Sequence, residues 1–227
     1  MAIKIQSTSA VTNSVTALIY GESGAGKTKL ASTAPKPLIL SAEAGLLSVA
    51  HDNIDSVEIK TPADVMEVYE FLTESKDADK YETIVLDSIT EIGEVYLSAL
   101  KKQHKDARQA YGEYADDLTK LIRAFRDINS KHVYFIAKGG TKDDENGLPI
   151  YRPLMPGNTL LQNIPFFFDL VMPLKIGKTE EDKTYRYLLT KGNANIIAKD
   201  RSNTLDEFEK PDLTSIFNKI KSGEQKN

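Results

Sequence analysis

The 227-residue sequence contains no cysteine. This absence excludes disulfides, thiolate zinc sites, iron–sulfur clusters and cysteine nucleophiles. The three histidines, His51, His104 and His132, are too scattered along the chain to suggest a metal site. No uncharged apolar run approaches the roughly 20 residues that a helix needs to cross a bilayer, and the first ten residues lack the apolar core of a signal peptide. We therefore expect a cytoplasmic protein with no membrane partner.

The chain also lacks an excess of positive charge. Lysine and arginine total 29 against 33 aspartate and glutamate residues, which gives a net charge of -4. No global positive field is available to hold duplex nucleic acid, so any contact with nucleic acid must be local. Hydrophobic residues make up 41% and charged residues 27% of the chain, close to the globular average, which argues against wholesale disorder.

Four short apolar stretches predict buried strands, and helical patterns lie between them. The stretches are residues 15–20, 37–40, 83–86 and 133–137. One helix is predicted to begin at Thr61, which combines an N-cap with a proline at the next position, and an apolar stripe from Leu118 to Ile128 indicates another. Strands that alternate with helices predict an α/β fold with a mainly parallel, twisted sheet covered by helices on both faces.

The last third of the chain differs from the rest in composition. Residues 139–147 are polar and turn-rich, and five of the nine prolines fall between positions 149 and 173, which predicts a long loop or exposed hairpin over 139–157. Apolar segments at 169–176, 184–190 and 195–198 predict strands added to one edge of the same sheet. A helix is predicted over 211–220. We expect one domain over residues 1–227, with a polar arm at 1–14 and a charged tail at 221–227.

A phosphate-binding loop is predicted between the first strand and the helix that begins near Lys27. The pattern G-x-x-x-x-G-K-[ST] is matched by Gly21, Glu22, Ser23, Gly24, Ala25, Gly26, Lys27 and Thr28. The glycines allow successive N–H groups to point inward at phosphate oxygens, and the helix presents its positive end to the same anion. Lys27 is predicted to reach the β and γ phosphates, and the Thr28 hydroxyl to bind Mg²⁺. The alternative is a glycine-rich surface turn that matches by chance.

Two carboxylates follow neighbouring strands and complete the predicted site. Asp87 ends the third strand, where it is predicted to hold Mg²⁺. The alternative is a helix N-cap, a role that we favour for Ser88, because Ser88 and Glu91 have capping-box spacing. Glu43 follows the second strand and is the candidate catalytic base that orients water toward the γ-phosphate. Its alternative is a solvated glutamate at a strand end.

These motifs, in this order, resemble those of the RecA-like recombinase ATPases. The likeness rests on residues 18–28, 42–43 and 84–88 and spans about residues 15 to 200. More closely, the chain resembles compact phage ATPases of the single-strand-annealing branch. The shared shorter motifs are Gln109-Ala-Tyr-Gly112, Pro156-Gly157, Phe168-Asp-Leu-Val171 and Lys199-Asp-Arg201.

The resemblance implies a RecA-like P-loop NTPase fold, ATP and Mg²⁺ as cofactors, and an ATPase that acts on single-stranded DNA in phage recombination or replication. It also implies self-association into an oligomer or filament, a single-strand DNA-binding protein as a further partner, and a location in the host cytoplasm. The large appended domains of the bacterial recombinase are absent from this sequence, so annealing or strand loading is favoured over strand exchange.

The resemblance also implies two DNA-binding segments. One follows the third strand, which ends at Asp87, and the other follows the fourth strand. In such segments, basic side chains neutralise the backbone while aromatic rings stack on unpaired bases. The candidates in the first segment are Lys101, Lys102, Lys105, Arg108, Tyr111 and Tyr114, and those in the second, residues 139–157, are Lys142, Tyr151 and Arg152. A solvated amphipathic helix is the alternative for the first segment.

Three further basic residues are implied to take part in catalysis. Recombinases commonly carry a glutamine after the fourth strand that senses the γ-phosphate, but this chain has Lys138 there, so either the lysine takes that role or the sensing is lost. Lys199 and Arg201 fall where such families place basic residues that reach a neighbour's nucleotide, which would make a lone subunit a poor ATPase. An exposed strand end is the alternative for these two residues.

Two other classes of function use the same loop. A nucleotide kinase also uses it, but the chain has only six arginines, and none clusters in a segment able to clamp a second phosphorylated substrate. A nucleotide-gated interaction module with little turnover is the other alternative.

Overall fold

A computed structural model of the chain describes residues 14–43 and 45–223. The predicted polar arm, apart from Ser14, and the last four residues of the predicted charged tail lie outside the described residues. The helices and strands, in chain order, are β1 (Thr16–Gly21), α1 (Lys27–Ala31), β2 (Pro37–Ser41), β3 (Asp55–Glu58), α2 (Pro62–Glu74), β4 (Thr83–Asp87), α3 (Ile89–Gln103), α4 (Ala107–Arg126), β5 (His132–Asp143), β6 (Pro149–Pro153), α5 (Asn158–Asn163), β7 (Leu170–Lys178), β8 (Thr184–Leu189), β9 (Lys199–Asp200), β10 (Phe208–Glu209) and α6 (Leu213–Ser222).

The strands form one mixed sheet in the order β10-β8-β7-β1-β5-β4-β2-β3, with β6 paired to β5 and β9 paired to β7. From β7 to β3 every neighbouring pair on this path is parallel. The pairs of β7 with β8, β8 with β10, β5 with β6 and β7 with β9 are antiparallel. The predicted mainly parallel sheet with added edge strands is therefore confirmed.

Helices cover both faces of the sheet, as the alternating pattern predicted. On one face, α1 and α6 pack against β1, β2, β5 and β7 through buried residues such as Leu30 and Phe217. On the other face, α2, α3 and α4 bury apolar stripes against the same strands. This two-sided burial explains why the central strands are almost continuously apolar.

The predicted start of α2 is confirmed in detail. The Asp64 N–H donates to Thr61 Oγ1 over 3.3 Å, and Asp64 Oδ2 accepts from the Thr61 N–H over 2.8 Å. The backbone N–H group of each residue is thus hydrogen-bonded to the side chain of the other, which forms a capping box. A proline occupies the first turn of the helix. Val65, Val68 and Leu72 then point into the core.

The structure differs from the predicted elements at β3 and at residues 195–198. Strand β3 was not predicted, because its sequence Asp-Ser-Val-Glu carries only one apolar residue. Residues 195–198 do not form the predicted strand: Ile196 makes isolated bridges to Tyr151 and Asn193, and the short strand β9 follows at Lys199. Strand β7 lies parallel to β1, and β8, β9 and β10 lie beyond it, so the last third adds strands on one side of the sheet as predicted.

The register of the parallel strands gathers the predicted site residues at one end of the sheet. Gly21 at the end of β1 is paired with Lys138 of β5, and Ser41 at the end of β2 is paired with Asp87 at the end of β4. The carboxyl ends of parallel strands in an open α/β sheet form the usual position of a ligand site. Within the two described ranges, no helix has the length and apolar composition required to span a bilayer.

Candidate nucleotide site

The loop between β1 and α1 has the backbone conformation that the phosphate-loop prediction requires. Gly24 has φ +77° and Gly26 has φ +100°, both in the left-handed region that disfavours a side chain. Gly21 packs against β7 so closely that an added Cβ would lie 2.9 Å from the carbonyl oxygen of Leu174. Because α1 has only five residues, its dipole is small, and the N–H groups of the loop supply most of the backbone's positive potential.

The ammonium group of Lys27 is positioned on this loop. Its Nζ donates to the carbonyl oxygens of Gly21 and Glu22, each over 2.8 Å. Burial lowers the pKa of Lys27, while the nearby carboxylates of Glu43 and Asp87 act in the opposite direction. Lys27 is therefore a desolvated cation within reach of two acidic side chains, which is the setting expected for a phosphate-binding lysine.

Thr28 and Asp87 are brought together across the sheet. The Thr28 hydroxyl donates to Asp87 Oδ2 over 2.6 Å, and Asp87 is only 3% exposed. Burial raises the pKa of Asp87 and the charge of Glu43 raises it further, whereas the Thr28 hydroxyl and Lys27 lower it. A hydroxyl and a carboxylate oxygen at this separation are hard oxygen ligands of the kind that Mg²⁺ prefers, so these residues fit the predicted metal site.

The Glu43 carboxylate is held by Ser88, the residue that follows β4. The Ser88 hydroxyl donates to Glu43 Oε1 over 2.7 Å, and the same Ser88 oxygen accepts from the N–H of Glu91 over 3.3 Å. Ser88 therefore caps α3, as favoured from the sequence, and also orients Glu43. The reciprocal half of the predicted capping box does not form, because the Glu91 carboxylate pairs with Lys138 instead.

Lys138 lines the same cavity and connects it to the β5–β6 hairpin. Its ion pair with Glu91 raises the pKa of Lys138. The Lys138 N–H donates to Thr90 Oγ1 over 3.1 Å, and the Thr90 hydroxyl donates to the carbonyl oxygen of Leu154 over 2.8 Å. Thr90 therefore joins Lys138, beside the phosphate loop, to the chain that follows β6.

The loop, Glu43, Asp87 and Lys138 surround one cavity of about 610 Å³, which lies in the size range of sites that enclose a nucleotide-sized ligand. Arg186 of β8 also lines this cavity, and its Nε donates to the carbonyl oxygen of Ala25 over 2.8 Å. Arg186 was not predicted as a site residue from the sequence. It lies in no motif, and its position depends on the pairing of β7 with β1 and β8.

Lys199 and Arg201 are not among the described residues that line the cavity. The Lys199 ammonium donates to the carbonyl oxygen of Pro165 over 2.6 Å, and burial lowers its pKa to about 8. Arg201 donates to the carbonyl oxygen of Phe166 over 3.0 Å and lies 3.5 Å from the carboxylate of Asp169. Both side chains contact the turn before β7, and their predicted role at a neighbour's nucleotide stays a prediction.

Part of the predicted DNA-binding set lies together on the surface. Lys101, Lys102, Lys105 and Arg108 are exposed around the junction of α3 and α4, and we call these four residues and Tyr111 the junction patch. Tyr111 is 39% exposed, and Lys101 Nζ lies 5.0 Å from the centre of its ring. A Cβ added to Gly157 would lie 3.2 Å from the Tyr111 ring, so the second candidate segment ends beside the first. Lys142 is exposed on the β5–β6 hairpin.

Three other members of that set are directed into the molecule. Tyr114 is 1% exposed and lies in the core. Tyr151 packs against Tyr20, with ring centres 5.4 Å apart, and is covered by the ammonium group of Lys175. Arg152 is buried and donates to the carbonyl oxygen of Leu161 over 2.6 Å. Because these side chains are engaged inside the chain, we leave them out of the candidate DNA surface.

Comparison with known proteins gives a family and structurally similar proteins. A family profile described as an AAA domain matches residues 13–202. The crystal structure of the flagellar accessory protein FlaH from Methanocaldococcus jannaschii is similar, with 12% sequence identity, a TM-score of 0.46, and coverage of 77% of this chain and 76% of that chain. Among proteins with curated descriptions, none matches. The profile spans the phosphate loop, Glu43 and Asp87, and the chain therefore belongs to the AAA domain family.

Proposed function

We propose that this protein is a Mg²⁺-dependent ATPase that acts on single-stranded DNA in phage recombination or replication, in annealing or strand loading. The main support for ATP hydrolysis is that Lys27, the Thr28–Asp87 pair and Glu43 all line one cavity. The DNA part rests on the junction patch and on the resemblance to compact phage ATPases.

The residues of the loop bind and orient the triphosphate. Loop N–H groups and the Lys27 ammonium group meet phosphate oxygens, and Thr28 and Asp87 hold Mg²⁺. When bound, Mg²⁺ neutralises the charge that develops on the phosphate oxygens during transfer. Burial and, to a smaller extent, the charge of Glu43 raise the pKa of Asp87, so a cation placed there stabilises the ionised carboxylate.

Glu43 acts on the attacking water. Water forms a new bond to the γ-phosphorus, the bond from that phosphorus to the bridging oxygen breaks, and ADP and inorganic phosphate leave. Glu43 orients the water and accepts its proton. The hydrogen bond from Ser88 to Oε1 fixes the carboxylate and leaves Oε2 available for that proton.

Single-stranded DNA meets the protein at the junction patch. Four cations at one helix junction provide local positive charge on a chain whose net charge is negative. They contact phosphates, while Tyr111 offers a partly exposed ring on which any unpaired base can stack. The hydrogen bonds from Lys138 through Thr90 to Leu154 connect the nucleotide cavity to the segment that packs against Tyr111, which supports stimulation of hydrolysis by DNA.

The resemblance is also the support for the remaining parts of the proposal. It favours self-association into an oligomer or filament on the strand, with a single-strand DNA-binding protein as a further partner in the host cytoplasm. Particle size measured with a non-hydrolysable ATP analogue, with and without an oligonucleotide, tests the assembly. A particle the size of a single subunit under both conditions contradicts it.

One set of measurements separates the proposal from its alternatives. Inorganic phosphate release is measured with Mg²⁺ and ATP, alone, with a single-stranded oligonucleotide, and with a duplex of equal length. Stimulation by the single strand supports the proposal. Transfer of the phosphoryl group to a nucleoside monophosphate supports a nucleotide kinase, and tight ATP binding without release under any condition supports a nucleotide-gated interaction module.

A further inference from the structure

Arg186 reaches the nucleotide cavity from a part of the chain that carries no nucleotide-binding motif. It lies on β8, where Ile176 of β7 is its cross-strand partner. Side chains alternate along a strand, so Arg186 shares a sheet face with Leu188, which is buried against the α1 side of the sheet. This face directs the guanidinium group at the phosphate loop.

The contact with the loop is close and specific. Arg186 Nε donates to the carbonyl oxygen of Ala25 over 2.8 Å. A Cβ added to Gly26 would lie 3.2 Å from the same Nε and 3.5 Å from Cδ. The glycine at position 26 therefore serves two purposes: it permits the left-handed backbone, and it leaves space for the arginine side chain.

The other cations around the cavity are already engaged. Lys29 pairs with Asp52, and Lys138 pairs with Glu91. Lys27 donates to two loop carbonyls. Within the described part of the chain, Arg186 forms no ion pair, and its hydrogen bond to Ala25 uses only Nε. An arginine is permanently charged and has five N–H donors, so four donors on the two terminal nitrogens remain for a ligand.

We propose that Arg186 is a nucleotide-binding residue supplied by the same chain: its Nε holds the Ala25 carbonyl, and its terminal nitrogens donate to phosphate oxygens of the bound nucleotide. This inference rests on the proposed function, because it takes the cavity to be a nucleotide site. It gives each subunit a phosphate-binding arginine of its own, whereas Lys199 and Arg201 were predicted to act on a neighbour.

The test compares two variants of the full-length protein. Arg186→Gln keeps an amide that can donate to Ala25 but removes the charge, and Arg186→Lys keeps a charge but loses the planar group. The dissociation constant for a non-hydrolysable ATP analogue with Mg²⁺ is measured at several salt concentrations. A charge-assisted hydrogen bond is worth about 10- to 100-fold in affinity. Arg186→Gln should weaken binding by that factor and flatten the salt dependence, and Arg186→Lys should weaken it less.

Two controls make the outcomes distinguishable. Arg126→Gln removes an arginine that pairs with Asp127 at the end of α4 and should leave affinity and salt dependence unchanged. Lys27→Ala tests the proposed function itself and should abolish tight binding. Wild-type affinity in Arg186→Gln, with loss in Lys27→Ala, overturns the role of Arg186 alone. The proposal is also overturned if Arg186→Lys and Arg186→Gln lose the same amount of affinity and both keep the salt dependence of the wild type. That result would show that the arginine only holds the loop. Unchanged binding in Lys27→Ala overturns the nucleotide site.

Discussion

The Thr28 hydroxyl donates a 2.6 Å hydrogen bond to the carboxylate of Asp87, although the two residues are 59 positions apart in the chain. The contact joins the phosphate loop to the end of β4, which is separated from β1 by β5. It therefore depends on the sheet order as well as on the two motifs. It also places a hydroxyl and a carboxylate oxygen where one cation can bind both.

Replacing Asp87 with asparagine should remove the dependence of ATP binding on Mg²⁺. The amide is a neutral and weaker ligand, so we expect affinity with Mg²⁺ to fall about tenfold or more while affinity without Mg²⁺ changes little. A nucleotide titration with Mg²⁺ and with a chelator measures both. Asp55→Asn, which changes an exposed carboxylate paired with Lys80, should behave as the wild type.

The same site should respond to pH. Burial raises the pKa of Asp87, and the carboxyl group must lose its proton to bind a cation. As pH falls, Mg²⁺-dependent binding should therefore weaken at a higher pH than an ordinary aspartate would cause. Binding that keeps its Mg²⁺ dependence in the asparagine variant would contradict the assignment of Asp87.

Glu43→Gln should stop hydrolysis without loss of ATP binding. Glutamine can still accept from the Ser88 hydroxyl, so the local geometry is retained, but it cannot take a proton from water. We expect the turnover number to fall by about 10²- to 10⁴-fold, with the dissociation constant for ATP within a factor of a few. Phosphate release under single-turnover conditions gives the rate, and Glu70→Gln on α2 is the matched control. Wild-type turnover in Glu43→Gln would disqualify Glu43 as the base.

Tyr111→Ala should weaken binding of single-stranded DNA, and Tyr111→Phe should not. Stacking of a base on an aromatic ring is worth about 1–3 kcal/mol, and phenylalanine keeps the ring. Fluorescence anisotropy with a labelled oligonucleotide measures the affinity. Lys101→Ala should weaken binding less at high salt than at low salt, since its contribution is a screened charge. Equal affinity of Tyr111→Ala and the wild type would remove the tyrosine from the proposed surface.

The local parts of the site could be predicted from the sequence, because their signals are local. The phosphate loop follows one buried strand, Asp87 ends another, and both strands are continuous apolar runs. Parallel strands place such ends at one edge of a sheet whatever the details of packing. The sequence therefore predicted which residues meet without any knowledge of the distances between them.

The remaining features depend on tertiary contacts that leave little trace in the sequence. Strand β3 has a polar sequence and exists through its pairing with β2. Arg186 reaches the loop only because β7 inserts beside β1. Tyr151 and Arg152 have the composition of a DNA-binding loop, but packing of the hairpin against Tyr20 and α5 turns both inward.

His132 should make stability depend on pH. Its Nδ1 accepts from the N–H of Val15 over 3.0 Å, its ring stacks on Phe217, and burial lowers its pKa from 6.5 to about 4. The unfolded chain therefore binds a proton below about pH 6.5 that the folded chain does not. Above that pH, His132 should make a constant contribution to the free energy of unfolding. Below it, the free energy of unfolding should fall as the pH decreases toward 4.

Denaturant titrations at pH 7.5 and pH 5 measure this contribution, which is on the order of 2 kcal/mol. His132→Asn retains an acceptor for the Val15 N–H and does not titrate, so its loss of stability between the two pH values should be smaller than that of the wild type. His51→Asn, at an exposed position, should follow the wild type. An equal loss in His132→Asn would assign the pH dependence to other groups.

Alanine at two glycines should have opposite effects on stability. At Gly139 an added Cβ would lie 2.6 Å from the Tyr151 hydroxyl and 2.8 Å from both Cα and N of Gly21, so β5, the hairpin or the phosphate loop must shift. Overpacking of this kind costs about 1–3 kcal/mol. At Gly112 in the middle of α4 nothing lies within 4 Å of the added atom, and alanine favours a helix over glycine by about 0.5–1 kcal/mol. Thermal unfolding should therefore show a lower midpoint for Gly139→Ala and a higher one for Gly112→Ala.

Because Gly139 touches the first residue of the phosphate loop, Gly139→Ala should also weaken ATP binding, whereas Gly112→Ala should bind ATP as the wild type does. A stable Gly139→Ala protein with normal ATP affinity would contradict the close packing of β5 against the loop.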